Sequence, residues 1–321
     1  MGLVSKSIQL PQQVLGQTFA LQLLKSALQQ DRIPPAYCFV GPAGVGKGLV
    51  AGWLAQALLC QGDPAAPLPC GDCSTCHLAI HHNHPDLLWL EPTYVHQGKL
   101  LTLSEAQQQD LQRRAPPQIR LEQIQTLIQF VSRAPLRASH SVVIVDGSET
   151  LAEAAANALL KTLEEPAHAI LILLTSQVAD LLPTILSRCQ IIRFQHLSLQ
   201  DLQRVLDSHH QSLPSPLLLS LAAGSPGQAL AAIDIWQSIP DEIKGSLTHW
   251  PTSLRESMTL GRMIAKSLDV PSQLWLADYW QHYWWQQGSP ERVRILEQIR
   301  QQLLSFVQPQ LVWEVNLSPT G

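Results

Sequence analysis

Little of this sequence carries charge. Asp, Glu, Lys and Arg make up 14% of 321 residues, where soluble domains carry roughly 25%. The formal balance is −4, so the chain lacks the basic excess that would draw it to nucleic acid or an anionic membrane by its field alone. A long unbroken apolar run is missing too: the uncharged stretch at 211–233 is interrupted by Pro214, Pro216, Gly224 and Pro226, which argues against a membrane span. The opening MGLVSKSIQLPQQ has no apolar core of an export signal, and Lys6 departs from the myristoylation pattern that Gly2 would begin. A reducing, cytoplasmic compartment is expected. The six Cys are therefore read as metal ligands or core residues before disulfides. Apolar residues are plentiful, at 45%, and nine of them are Trp, a residue enriched in contacts between chains. The length leaves room for two or three domains.

Short apolar runs at 37–40, 87–90, 141–145, 170–174 and 191–194 read as strands. Helical spacing appears between them, at 15–30, 49–58 and 152–164. Strands alternating with helices predict a parallel sheet covered on both faces. Residues 91–118 are polar and rich in Gln and Pro, and read as a loose insertion. Helical period resumes with Ile119, Ile124, Leu127, Ile128 and Val131. After Phe194 the strand signals stop. Ser198 with Asp201 forms a capping box opening a helix, and everything beyond Pro240 reads as helical. The last clear helix opens at Ser289-Pro290, with Val293, Leu296, Ile299, Leu303 and Phe306 on one side. Trp280 and Trp284, four apart, would fill the core there or meet a neighbouring chain.

The stretch 41–47, GPAGVGK, follows a strand and opens a helix, the context a phosphate-binding P-loop requires. Gly41, Gly44 and Gly46 let backbone N–H groups wrap a phosphate, and Lys47 reaches the outer phosphates. Two parts of a hydrolytic site are absent. Gly48 stands where a Ser or Thr hydroxyl would bind Mg²⁺. Asp146, at a strand end, stands where a Mg²⁺-organising carboxylate belongs, but Gly147 follows where a water-orienting Glu belongs. Glu149 is expected on a different face. Phosphoryl transfer is mostly positioning and charge neutralisation, so ATP with Mg²⁺ could be held while hydrolysis is lost. A loop that keeps its shape with no ligand is the alternative.

Cys60, Cys70, Cys73 and Cys76 follow C-x₉-C-x₂-C-x₂-C. Four thiolates match tetrahedral Zn²⁺ in a closed, structural site, with partly buried free thiols as the plain alternative. His77, His81, His82 and His84 lie beside a set that is already complete. Cys38 reads as core strand. Arg188, in Ser187-Arg188-Cys189, could be an ordinary exposed cation at a helix end. Its planar fork also suits a neighbour's phosphate.

Together these residues resemble the bacterial DNA polymerase III clamp-loader subunits, most closely the delta prime branch. The resemblance is carried by LGQ (15–17), the P-loop, the four-Cys module, HPDL (84–87), VDGSETLAEAAANALLKTLEEP (145–166), LLPTILSRCQIIRF (181–194) and GSPGQAL (224–230). VQPQLVWEV (307–315) is a weaker match. It implies an α/β AAA+ P-loop domain with a parallel five-stranded sheet over 1–195, carrying the Cys₄ module at 60–76. A small helical lid over 196–239 and an all-α collar over 240–321 would follow. It further implies a ring with delta and gamma/tau subunits that loads the sliding clamp onto primer-template DNA. Arg188 would then be a trans-acting arginine finger, with Asn157, Lys161 and Glu164 facing the same interface. Gly48, Gly147 and Gln228, in the sensor-2 position, favour a stator over the alternative, an active gamma/tau-type ATPase. Polymerase activity would belong to the holoenzyme. A free-standing zinc-containing nucleic-acid-binding protein finds no basic, aromatic stripe to support it.

Overall fold

The computed structural model describes residues 7–63, 65–108, 116–211, 215–305 and 307–318. Helix α1 (Thr18–Gln29) turns Ala20, Leu21, Leu24 and Leu28 inward at helical spacing. Strand β1 (Ala36–Val40) is buried at every residue. Helix α2 (Lys47–Leu59) buries Val50, Ala51, Trp53, Leu54, Ala55, Ala57 and Leu59, as expected of a helix apolar on most sides. It packs against α3 (Ser74–Ile80), and β2 (Leu87–Leu90) follows.

The segment expected to be loose is partly ordered. It holds an antiparallel hairpin, β3 (Tyr94–His96) with β4 (Lys99–Leu101), and a short helix α4 (Leu103–Gln108). Residues 109–115 of that segment lie outside the described residues. Ile119 is not yet helical: it bridges to Leu151, and α5 begins later (Leu121–Val131). β5 (Ser141–Val145), α6 (Glu153–Glu164), β6 (Ala169–Thr175), α7 (Pro183–Leu186), β7 (Gln190–Arg193) and α8 (Leu199–Ser208) complete the run. Ser198 Oγ accepts the Asp201 N–H at 3.1 Å, so the expected cap forms.

The five main strands make one parallel sheet of order β2-β5-β6-β1-β7. Its centre, β5, β6 and β1, is buried throughout, which explains why these strands are continuous apolar runs rather than alternating ones. Alternate side chains feed two cores. Tyr37, Phe39, Val142 and Ile144 pack with α1 and α2, and Cys38, Val143, Val145 and Leu171 pack with α5 and α6.

The chain divides into two compact units, Met1–Val205 and Leu206–Gly321. The second unit is helical: α9 (Pro216–Ala222), α10 (Pro226–Ser238), α11 (Asp241–Ser246), α12 (Leu254–Ser267), α13 (Val270–Gln286), α14 (Pro290–Leu304) and α15 (Pro309–Asn316). Trp280 is fully buried in its core, donates from Nε1 to the Leu247 carbonyl at 2.7 Å and lies beside Trp313. Trp284 is buried beneath Arg292, whose guanidinium stands 3.8 Å from the ring centre. Ser289 precedes α14 as expected but makes no side-chain cap bond, and Phe306 lies outside the described residues.

One buried carboxylate organises a loop of the first unit. Asp86 accepts the backbone N–H groups of Leu136, Arg137 and Ala138 at 2.6–2.9 Å. Burial opposes its ionisation, but the three amides and nearby His84 outweigh it and hold the carboxyl below its ordinary 3.8. Asp86→Asn turns two acceptor oxygens into one and faces an NH₂ toward donors. We expect a loss of about 2–3 kcal/mol in urea unfolding at pH 7. Because the folded pKa is depressed, this contribution is complete above the unfolded value and lost as pH falls through the folded one. The unfolding curves of the two proteins should therefore converge in acid.

Candidate functional site

In a parallel sheet the strand C-termini share one edge, and that edge is where ligands bind. Three adjacent strands deliver the candidate groups there: β1 runs into the P-loop, β5 into Asp146 and β6 into Ser176. Gly41 is packed so closely on Phe194 that a Cβ would lie 2.5 Å from its carbonyl oxygen. Gly44 and Gly46 both have positive φ, and Gly46 precedes the first turn of α2. The loop is also tied to the end of β7. Gln17, buried, donates to the carbonyls of Gln195 at 2.7 Å and Val45 at 3.4 Å, and accepts the Gln195 N–H at 3.1 Å.

Lys47 is buried, and its Nζ donates to the carbonyls of Gly41 at 2.5 Å and Pro42 at 2.8 Å. Burial lowers its pKa, against the pull of Glu149 and Asp146. Asp146 is pushed up by burial, while the Gly147 N–H and Lys47 favour its charge. Glu149 corrects the expectation that it would sit on a different face. A 3₁₀ turn at Ser148–Thr150 brings it back, its Oε1 accepts the Ser176 hydroxyl at 2.7 Å, and its charge acts on Lys47 and on Asp146. Its Oε2 is buried with no hydrogen-bond partner. The cleft therefore presents one lysine against two carboxylates. That set suits a phosphate only with a divalent cation to offset the acids.

The four cysteines converge. Cys60 ends α2, and its Sγ stands 3.5 Å from that of Cys70 and 3.9 Å from that of Cys73; Cys70 and Cys76 are 3.8 Å apart. All four sulfurs lie within 4.8 Å of one another. A tetrahedron with Zn–S bonds near 2.3 Å has edges of about 3.8 Å, so the donor set fits one metal ion. Gly62 leaves room for it: a Cβ there would lie 2.6 Å from Cys70 Sγ. Burial opposes ionisation of Cys73, but the Thr75 hydroxyl at 3.0 Å, the amides of Cys76 and Gln61 and the Cys76 side chain bring the thiol down to about 5. Burial pushes Cys60 and Cys76 up. None of the neighbouring histidines joins the cluster. His82 stacks on Trp89 at 4.2 Å, and His84 accepts the Asp86 N–H at 3.0 Å.

Arg188 follows α7 on a partly exposed surface. It donates to the Thr184 carbonyl at 2.8 Å and pairs with Glu164. Glu164 lies on the exposed stripe of α6 with Asn157 and Lys161. Gln228 stands in the first turn of α10, its N–H capped by Ser225. Cys38 is buried in β1 as expected.

This chain is similar to known proteins in sequence and fold. Residues 16–198 match the family model described as "DNA polymerase III, delta subunit", and 200–320 match "Cyanobacterial DNA polymerase III delta prime, C-terminal domain". The chain belongs to the DNA polymerase III delta prime family. It is 37% identical to the delta prime subunit of Pseudomonas aeruginosa over 197 residues, 60% of this chain and 53% of that one. It is 30% identical to that of Bacillus subtilis over 216 residues, covering 67% and 57%. The chain thus spans about half the length of these delta prime relatives. The tau subunit of Escherichia coli is 32% identical over 229 residues, 69% of this chain and 32% of its own length. In fold, a gamma-subunit-related protein of Thermotoga maritima superposes with a TM-score of 0.53 at 15% identity, covering 92% of this chain and 97% of that one. The α/β P-loop module of the AAA+ type and the helical C-terminal region agree with membership in this family. Among the described residues no helix is long and apolar enough to cross a membrane.

Three residues of this delta prime family member escape a reading by motif. Thr75 meets Cys73 in a knuckle turn whose shape the spacing does not give, Ser176 meets a 3₁₀ turn through Glu149, and Pro92 acts by position alone. The metal site yields a direct measurement. Purified chain should carry one tightly bound metal ion per molecule, and Cys73→Ser or Cys76→Ser should abolish it. Chelation should lower the melting temperature of the parent protein but not of either variant.

Proposed function

We propose that this chain is a non-hydrolysing clamp-loader subunit, the delta prime position of a DNA polymerase III assembly. In that position it presents Arg188 to nucleotide held by an adjacent gamma/tau-type subunit. The observation that carries the reading is the contrast within one chain. Arg188 sits on an accessible face with Asn157, Lys161 and Glu164, while Gly48, Gly147 and Gln228 replace the groups a motor would use for Mg²⁺, for water and for the sensor-2 contact. A guanidinium is always charged and donates to two phosphate oxygens at once, so it stabilises transferring phosphate wherever it is delivered. The partners in this reading are gamma/tau subunits and delta. Through them the chain takes part in placing the sliding clamp on primer-template DNA, in the cytoplasm.

The same reading assigns 1–195 to the AAA+ domain, 196–239 to a lid and 240–321 to a collar that holds neighbouring subunits. The metal is Zn²⁺ in a structural role, because four thiolates close the coordination sphere and leave no position for substrate. Nucleotide at Lys47 serves shape rather than turnover. A second reading, an active motor subunit, draws on Glu149, whose carboxylate reaches the cleft beside Asp146 and carries an unpartnered oxygen.

Two measurements separate these. In a reconstituted ring, Arg188→Ala should leave assembly intact and slow hydrolysis at the adjacent site by about 10³-fold, the ring total falling by that site's share. An unchanged DNA-stimulated rate would remove the finger assignment. The purified chain alone with Mg²⁺-ATP should show no turnover above a Lys47→Ala control. Steady turnover lost in that control would select the motor reading.

A further inference from the structure

The two glycines that stand in for motor residues have different surroundings. At Gly48 a Cβ would meet only the Trp89 ring, at 3.9 and 4.0 Å, which is ordinary contact. At Gly147, φ is +66°, and a Cβ would lie 2.8 Å from Pro92 Cγ and 3.3 Å from its Cδ. Side chains rarely adopt that backbone conformation, and a pyrrolidine ring cannot swing aside as the end of a long side chain can.

Pro92 is also held on both sides. Gln123, buried in the first turn of α5, donates to the Glu91 carbonyl at 2.9 Å and accepts the Thr93 hydroxyl at 3.0 Å and the Arg120 N–H at 3.0 Å. Thr93 and Gln118 exchange two backbone hydrogen bonds at 3.0 and 3.1 Å. The base of the 91–118 segment is therefore a closed clamp, with the proline ring inside it and turned onto the residue after Asp146.

We propose that Pro92 locks position 147 against any side chain and so bars a water-orienting carboxylate from that position, whereas position 48 remains open to a Mg²⁺-binding hydroxyl. The chain is thus built to hold a nucleoside triphosphate with a divalent cation, given that hydroxyl, and not to turn it over. This rests on the reading of the P-loop as non-hydrolysing and names the residue that enforces it. It also gives the 91–118 segment a role at its base.

The test uses the full chain with Gly147→Ala, Pro92→Ala, the pair together, and Gly48→Thr. Gly147→Ala should lower the melting temperature by about 4 °C or more. The pair should lose less than the sum of the single changes, because Pro92→Ala removes the obstructing ring atoms. Strictly additive losses would overturn the lock. Gly48→Thr should melt with the parent and bind Mg²⁺-ATPγS about tenfold more tightly, the worth of one charge-assisted contact, with no ATP turnover. Turnover by Gly48→Thr alone would overturn the proposal, and unchanged Mg²⁺-dependent affinity would overturn its claim about position 48. That nucleotide measurement decides the matter if the Gly147 variants fail to fold. Turnover by the parent chain would instead sink the non-hydrolysing reading itself.

Discussion

Everything at the candidate site depends on three strands, β1, β5 and β6, being buried on both faces and running parallel. Full burial demands unbroken apolar sequence, so these strands can carry no functional side chains of their own. Parallel direction then forces the polar groups to one edge. Lys47, Asp146 and Ser176 come from segments far apart in sequence, yet Asp146 and Ser176 follow directly on β5 and β6, and Lys47 closes the loop that follows β1, the strand beside them in the sheet. The chemistry of the cleft is a consequence of strand order, and loop residues are free to change while the scaffold stays.

That freedom explains how a site can keep its form without its reaction. Lys47 remains because it is part of the loop's own structure: its ammonium satisfies the carbonyls of Gly41 and Pro42. Losing it would leave buried acceptors unpaired, at a cost of about 1–3 kcal/mol each. Asp146 keeps its backbone place by pairing with Leu90, its N–H donating to that carbonyl at 2.8 Å. The hydroxyl and the carboxylate that a motor would carry at 48 and 147 have no such structural duty, so glycine stands at both without harm to the fold.

The sheet, its strand positions and the four-cysteine cluster were legible in the sequence because each rests on a short-range pattern: continuous apolar runs, a glycine-rich spacing, a cysteine knuckle. Glu149 was misread because its position is set by a 3₁₀ turn that no periodicity announces. The hairpin β3–β4 was hidden because three-residue strands in a polar segment carry little apolar alternation. Ile119 kept the helical spacing of α5 but is recruited by Leu151 into a bridge, a tertiary contact that overrides the local pattern. The roles of Gln17 and Pro92 could not be found from spacing at all, since each acts on a partner brought near only by the fold.

The metal cluster and the phosphate loop are the two ends of one helix. α2 begins at Lys47 and ends at Leu59, with Cys60 as its cap, a length of about 20 Å at 1.5 Å per residue. Its flanks are fastened as well: Trp53 donates to the Gln9 carbonyl at 2.9 Å, and Gln61 donates to the Arg137 carbonyl in the loop that Asp86 anchors. A cation bound by the four thiols would fix the C-terminal end of α2, and the N-terminal end, whose amides and dipole favour a phosphate, would lose freedom to tilt.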